Sequence, residues 1–266
     1  MDATATAAAA APMPPVPVIV WSIEGNIGAG KSTVLREIES LLRDRRQRCE
    51  ADEEEESSSS SSFDIDILFE PIDDWCNVNH EGTVVNVFRE YRDAPERRAC
   101  EFQLFAFSDR LQRLSAKVAE ARARLGATRP VVLICERSIE SDRRIFADTQ
   151  IKDTMGKCVY ARAFDIFKNL FGDHMTRFRH VYLRVEPPAC MDRIRTRARG
   201  GEESLDMDIL HVLHDAHEQW ATSDSLHVFQ NHPSSDVEKA TKSLALEIVD
   251  HIEIETTRLI ELSTSL

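Results

Sequence analysis

The chain has no run of 18 or more apolar residues, the length a membrane-crossing helix needs, so no membrane partner is expected. It also lacks a basic excess. Its 33 Lys and Arg stand against 46 Asp and Glu, a net charge of −13, which argues against a role in coating DNA or RNA backbones. Paired cysteine spacings are missing too: Cys49, Cys76, Cys100, Cys135, Cys158 and Cys190 stand singly, without the pattern of a zinc site or redox dithiol. Scattered thiols suit a reducing compartment, read as the cytoplasm with the nucleus as second choice. The Ala/Pro-rich start from Met1 to Pro17 has neither a basic n-region nor an Arg-rich pattern, so neither secretion nor mitochondrial import is expected. Residues 1–17 are read as a disordered tail and 18–266 as one domain, since 266 residues suffice for one full core.

Val16 to Ile23 is a short β-branched run between prolines and glycines, the pattern of a fully buried parallel strand. From Thr33 to Arg46, Val34, Leu35, Ile38, Leu41 and Leu42 recur at helical spacing. Further strands are expected at Ile67 to Phe69, Val131 to Cys135, His180 to Val185 and near Val228. Helices are expected over Pro95 to Leu125, Ala161 to Phe171, Pro188 to Arg199 and Met207 to Trp220, with a last one to about Leu262. Strands alternating with helices give an α/β fold, here a five-stranded parallel sheet with helices on both faces. Between Cys49 and Asp66 eight acids and a run of serines occur with no Lys or Arg, which leaves only −5 for the rest of the chain. This stretch, 49–66, is read as a disordered insertion.

The chemistry is concentrated in Gly25-Asn26-Ile27-Gly28-Ala29-Gly30-Lys31-Ser32, a complete G-x-x-x-x-G-K-[ST] between a buried strand and a helix that opens through Thr33. Glycines let backbone N–H groups curl around phosphate oxygens. Lys31 reaches the terminal phosphates and Ser32 supplies a Mg²⁺ ligand. Open parallel sheets place ligands at the carboxyl ends of strands, and those ends carry Glu70 and Glu136-Arg137. A carboxylate at Glu70 can take the proton of an attacking hydroxyl, and Arg137 can neutralise charge on a transferring phosphoryl group.

Together these residues resemble the deoxynucleoside kinases, most nearly the branch that acts on deoxycytidine. The matching pieces are Ser22 to Ile27 running into the P-loop, Glu70-Pro71 with Trp75-Cys76-Asn77, Phe102-Gln103, Glu136 to Arg143, and the arginine-rich Arg193 to Arg199. The resemblance spans Val18 to about Trp220. It implies a P-loop kinase fold and transfer of the ATP γ-phosphoryl group to the 5′-hydroxyl of a deoxynucleoside in nucleotide salvage. Glu70 would be the general base, Arg137 would hold the hydroxyl and the phosphoryl group, and Glu136 would join Ser32 in organising Mg²⁺. The segment 188–204 would be a lid bringing Arg193, Arg197 and Arg199 to the triphosphate.

By the same resemblance Gln103 contacts the nucleobase, Phe102 and Phe146 pack on it, and Trp75 belongs to the substrate site. Tyr91 and an acid after the lid, Glu202 ahead of Glu203, meet the sugar. Tyr91 lies one residue farther from Pro95 than the family pattern, which implies an irregularity in the helix or a shifted contact. Gln103 and Arg110 are two helical turns apart and share a face, as do Asp142 and Phe146. An Arg-Asp pair like Arg110 and Asp142 marks members preferring deoxycytidine, deoxyadenosine or deoxyguanosine over thymidine. The lid sequence Arg197-Ala198-Arg199 with Glu202-Glu203-Ser204 is similar to broad-specificity insect-type members. A homodimer formed by the helix at Pro95 to Leu125 and the one carrying Phe164, Phe167, Leu170 and Phe171 is expected from the resemblance. His211, His214 and His217 recur every three residues without accompanying ligands and are read as surface or core-edge histidines. The competing readings are a thymidylate-type monophosphate kinase, which needs further cationic anchors, and a catalytically silent homologue, which would not need Lys31, Ser32, Glu70, Glu136 and Arg137 intact.

Overall fold

A computed structural model describes residues 17–51, 63–125, 129–171, 176–200, 202, 205–224 and 226–264. The predicted tail up to residue 16, the centre of the predicted insertion (52–62), Glu203 and Ser204 lie outside the described residues. The chain runs from strand β1 (Val18–Glu24) into helix α1 (Lys31–Ala51), then strand β2 (Asp64–Leu68) and the one-turn helix α2 (Ile72–Trp75). A small hairpin follows, β3 (Val78–His80) and β4 (Thr83–Val85), and then helices α3 (Val87–Asp93) and α4 (Pro95–Leu125). Strand β5 (Val131–Glu136) leads into a composite helix made of α5 (Ile139–Ser141), a π-helical turn (Asp142–Ala147) and α6 (Asp148–Gln150). Helix α7 (Thr154–Phe171), strand β6 (Thr176–Arg184), helices α8 (Pro187–Arg197) and α9 (Met207–Ser223), strand β7 (His227–Gln230) and helix α10 (Val237–Thr264) complete it.

Five strands form one parallel sheet in the order β2-β5-β1-β6-β7, the expected α/β architecture. Strand β1 is buried along its whole length because both faces are covered. Ile19, Trp21 and Ile23 face α1 and α10, meeting Leu35, Ile38, Ile248 and Ile252. Val18 and Val20 face α4 and α7, meeting Phe107, Phe164 and Phe167. The Trp21 indole N–H, buried in this layer, donates to the Thr256 hydroxyl at 2.9 Å. Truncating a fully buried member such as Leu35 to Ala would cost about 2–5 kcal/mol.

Several boundaries differ from the sequence reading. Helix α1 continues to Ala51 and β2 begins at Asp64, so both ends of the predicted 49–66 insertion belong to regular elements. Strand β2 was hidden by its acids: it forms an edge of the sheet, where Asp64 and Asp66 pair with Arg124. Helix α7 starts at Thr154 rather than Ala161, and the β3–β4 hairpin was not foreseen. The extra residue between Tyr91 and Pro95 is absorbed at Ala94, whose φ of −145° and ψ of 60° break the chain between α3 and α4. Helix α8 stops at Arg197, capped by a left-handed Ala198 (φ 49°), two residues short of the expected Arg199.

Candidate active site

The P-loop joins β1 to α1 at the carboxyl end of the central strand. Gly28, at φ +81°, takes a left-handed conformation open to glycine, and a Cβ there would lie 2.5 Å from the Cys190 carbonyl oxygen of α8. The Asn26 side chain fastens the loop to α9 through the Leu210 carbonyl (2.8 Å) and accepts from the Ile27 N–H. Lys31 folds over the loop, donating to the carbonyls of Gly25 (3.1 Å) and Asn26 (3.0 Å). Burial, with Arg137 close by, lowers its pKa to about 8, while Glu136, Glu70 and Glu24 act in the opposite direction.

The neighbouring strand ends bring the predicted residues around this loop. Register pairs Ile23 with Glu136, so the end of β5 lies beside the end of β1. The Glu136 carboxylate accepts from the Ser32 hydroxyl (2.6 Å) and from the backbone N–H of Glu70 (3.4 Å). Arg137 adopts φ +65°, a strained conformation for a non-glycine residue that costs on the order of 1–3 kcal/mol. Its backbone N–H bonds the Ile23 carbonyl and its guanidinium the Gly25 carbonyl (3.0 Å), so the strain is held from two sides.

Glu70 sits between two guanidiniums, Arg110 at 2.9 Å and Arg137 at 3.4 Å. Burial alone would raise its pKa, but Arg137, Arg110 and Lys31 outweigh it and hold the carboxyl below the ordinary range. Arg110 is a three-way hub: it also donates to Asp142 (2.8 Å) and to the Glu136 carbonyl (2.9 Å). Burial pushes Asp142 up to about 6, against the attraction of Arg110, and the Glu70 charge adds to the rise. Arg110 stays charged: burial opposes its charge, but the two carboxylates outweigh it.

These groups line one cavity of about 400 Å³. Lys31, Ser32, Thr33, Glu136, Arg137, Arg197 and Arg199 occupy it together with Glu70, Trp75, Tyr91, Phe102, Gln103, Arg110, Asp142, Phe146 and Glu202. Of the P-loop, Ile27, Gly28 and Gly30 also reach it, while Gly25, Asn26 and Ala29 are not on its wall. Arg193 lies outside the lining, beside the loop, where it donates to the carbonyls of Ala29 and Asn231. Tyr91 stacks on Phe102 (4.4 Å, 1° between planes), Trp75 meets Phe102 edge to face, and the Arg137 guanidinium lies 4.6 Å from the Phe146 ring centre. The indole N–H of Trp75 is fixed by Asp109 at 2.8 Å. The break at Ala198 brings Arg197 and Arg199 toward one carboxylate, Glu202, at 2.8 and 4.0 Å.

The sequence reading missed four polar lining residues, Arg36, Asp73, Arg92 and Gln150. Gln150 follows Asp142 and Phe146 at intervals of four. The π turn, with its i→i+5 hydrogen bonding, is wider than an α turn, and all three side chains line the same cavity. Arg92 carries a signal only in being next to Tyr91. His217 is buried, bonded through Nδ1 to the Leu213 carbonyl, and burial drives its pKa well below the ordinary value. Among the described residues no group of three or more His, Cys, Asp or Glu is arranged to hold a metal ion.

Oxygen donors at Ser32 and Glu136, beside a phosphate-binding loop, fit a hard divalent cation that shares its shell with phosphates and water. The site thus has a phosphate end, a shielded carboxylate and an aromatic slot with amide and guanidinium donors. Such an arrangement can bind a triphosphate at one end and a flat, hydrogen-bonding acceptor at the other.

Comparison with known proteins agrees. The sequence pattern of the family described as deoxynucleoside kinase matches residues 21–256. The chain is 32% identical to the deoxycytidine kinase of Bos taurus over 214 residues, 75% of this chain and 74% of that protein. It is 30% identical to the mitochondrial deoxyguanosine kinase of Xenopus laevis over 228 residues, 79% and 76% of the two chains. Over 237 residues, 88% and 84% of the two chains, it is 28% identical to the thymidine kinase of Ictalurid herpesvirus 1.

Proposed function

Because this chain belongs to the deoxynucleoside kinase family and is an ATP-dependent phosphotransferase, we propose that it favours deoxycytidine, deoxyadenosine or deoxyguanosine over thymidine and works through the residues of the 400 Å³ cavity. The observation that carries the reading is Glu70, a part-buried carboxylate held ionised by Arg110 and Arg137 at the edge of the P-loop. The acceptor 5′-hydroxyl approaches Glu70, which takes its proton as the oxygen attacks the γ-phosphorus. Arg137 and Lys31 meet the charge of the transferring group, and little covalent work is left to the protein beyond positioning and electrostatics. Ser32 and Glu136 would hold Mg²⁺, which supplies charge neutralisation at the phosphate oxygens. Arg197 and Arg199 close on the triphosphate from the lid side, with Arg193 beside the loop, and closure excludes water as a rival acceptor.

At the acceptor end, Phe102 and Phe146 flank the base, Gln103 makes the amide contact and the Arg110–Asp142 pair sets the preference. Trp75 closes the slot, and Tyr91 and Glu202 meet the sugar. The preference for non-thymine bases rests on the guanidinium and carboxylate filling the corner that a thymine methyl would need. Support for a homodimer comes from helix α7, whose Met155, Val159 and Ile166 are 74%, 44% and 53% exposed and form an apolar stripe. The free cysteines Cys76, Cys100, Cys135, Cys158 and Cys190 support a reducing, cytoplasmic setting. No described helix is long and apolar enough to cross a membrane.

A coupled ADP-release assay with each deoxynucleoside tests the reading. The wild type should turn over deoxycytidine and a purine deoxynucleoside faster than thymidine, and Glu70→Gln should lose about 10²–10⁴-fold in kcat while keeping the far-ultraviolet circular dichroism of the folded wild type. Full activity in Glu70→Gln overturns the catalytic assignment, and thymidine as the best acceptor overturns the preference.

A further inference from the structure

We infer that Arg36 is a phosphate anchor on the acceptor side of the cavity: its guanidinium binds the 5′-monophosphate that the reaction forms, so the site holds nucleoside monophosphates as well as nucleosides. The inference rests on the kinase reading above and adds a product-binding residue to it.

Arg36 lies on α1 one turn beyond Ser32 and Thr33, and all three line the same cavity. Its guanidinium is 6.0 Å from the ring centre of Phe69. Phe69 directly precedes Glu70, whose backbone N–H reaches the Glu136 carboxylate that also accepts from Ser32. The head of Arg36 therefore lies over the residue that carries Glu70 into the site.

The order of the strands decides which substrate this cation serves. In the sheet β2-β5-β1-β6-β7, Phe69 and Glu70 follow edge strand β2, on one side of the P-loop that follows β1. Helix α8 follows β6 on the other side, and its Arg193 bonds the carbonyls of Ala29 and of Asn231, the residue after β7. Arg193, Arg197 and Arg199 thus reach the triphosphate from the β6–β7 side. Arg36 approaches from the β2 side, which belongs to the acceptor.

The cation is also free to take an anion. On the same wall Arg110, Arg137, Arg197 and Arg199 each face a carboxylate. Among the described residues no carboxylate, Asp73 on that wall included, lies at ion-pair distance from Arg36, which is exposed to solvent at the cavity mouth. Transfer joins the 5′-oxygen to the γ-phosphorus, breaks the bond from that phosphorus to the ADP oxygen and leaves the hydroxyl proton on Glu70. The acceptor enters neutral and ends with a phosphate carrying about −1.5 to −2 charges at neutral pH. A guanidinium fork matches phosphate oxygens two at a time, whereas the neutral nucleoside gives it nothing to bind. At a solvent-exposed position such a contact changes affinity by about five- to thirtyfold.

The test compares wild type and Arg36→Ala with three ligands: the deoxynucleoside best phosphorylated, its 5′-monophosphate, and ATP. Alanine favours the helix and Arg36 is exposed, so the variant should keep the wild-type circular dichroism. Arg36→Ala should raise the inhibition constant of the monophosphate, measured against the deoxynucleoside, about five- to thirtyfold. KM for the deoxynucleoside and KM for ATP should each stay within about twofold of wild type. An unchanged inhibition constant overturns the assignment. So does an equal loss for the deoxynucleoside, which would make Arg36 a packing residue for Phe69, and so does a matching rise in KM for ATP, which would move it to the donor. A wild-type enzyme that phosphorylates no deoxynucleoside defeats the kinase reading itself, a result distinct from any of these.

Discussion

Removing the guanidinium of Arg110 tests the centre of the site most directly, because Asp142 is buried with that cation at 2.8 Å and its side chain is 3% exposed. Breaking one side of a buried pair costs about 3–5 kcal/mol, since the remaining charge has lost its solvation and its partner. Asp142 can escape by taking up a proton. Its pKa is already raised to about 6 by burial, and without Arg110 it rises further. A carboxyl whose folded pKa exceeds its unfolded value of 3.8 weakens the fold at neutral pH, and that loss is recovered as pH falls through the folded pKa. Urea denaturation of wild type and Arg110→Ala at pH 7.5 and 5.5, compared as differences so that other carboxylates cancel, reads this out. The variant's deficit should shrink at the lower pH by up to about 1.4 kcal/mol per pH unit. Arg110→Ala/Asp142→Ala should then lose less than the two single variants together, with a coupling of about 0.5–3 kcal/mol. An equal deficit at both pH values, or strict additivity, refutes the hub.

Lys31, lowered to about 8 by burial beside Arg137, loses its charge as pH rises through that value. kcat/KM for ATP should therefore fall above pH 8 while kcat at saturating ATP holds, because bound phosphates raise the lysine again; a flat kcat/KM up to pH 9.5 contradicts this. Gly28→Ala places a methyl 2.5 Å from the Cys190 carbonyl oxygen at φ +81°, so either the loop or α8 must shift at a cost of about 1–3 kcal/mol. Nucleotide titration should show ATP affinity reduced about 5- to 150-fold for that energy, and wild-type affinity rules out the clash. Met155→Glu with Ile166→Glu should convert a dimer to a monomer in sedimentation at micromolar protein; a wild type that already sediments as a monomer removes the α7 interface.

The legible parts of this molecule were those whose cause is local. The P-loop is a contiguous motif, and β1 and β5 are buried on both faces, so their runs are apolar throughout. Helix α4 matched its predicted Pro95–Leu125 span because its apolar spacing is long. Strand β2 was shortened in the reading because an edge strand tolerates acids that pair with Arg124. The first turns of α7 expose Met155 and Val159, so no buried stripe announces them. The π turn leaves no mark in side-chain spacing, since only the backbone registers i→i+5 bonding. Arg92 and Gln150 enter the cavity only because α3 and the composite helix approach each other around the Tyr91 hydroxyl, a tertiary event that spacing cannot encode.

The acidity of the chain lies mainly between residues 49 and 66, while the cations of the cavity are held by an arrangement of their own. Arg110, Arg137 and Arg197 are each held by a carboxylate inside the cavity, Asp142 and Glu70 for the first, Glu70 for the second and Glu202 for the third. Such pairing fixes the guanidiniums in place before a triphosphate arrives and spares the fold their mutual repulsion. Lys31 is held differently, by the backbone carbonyls of Gly25 and Asn26. Those neutral acceptors bind an ammonium less strongly than a carboxylate does, so an incoming phosphate displaces them at lower cost. In the proposed roles Arg197 would instead exchange Glu202 for phosphate, and that exchange would free the Glu202 carboxylate for the sugar. Donor binding at the lid and acceptor binding at the sugar would then favour each other, since each would satisfy a group the other releases.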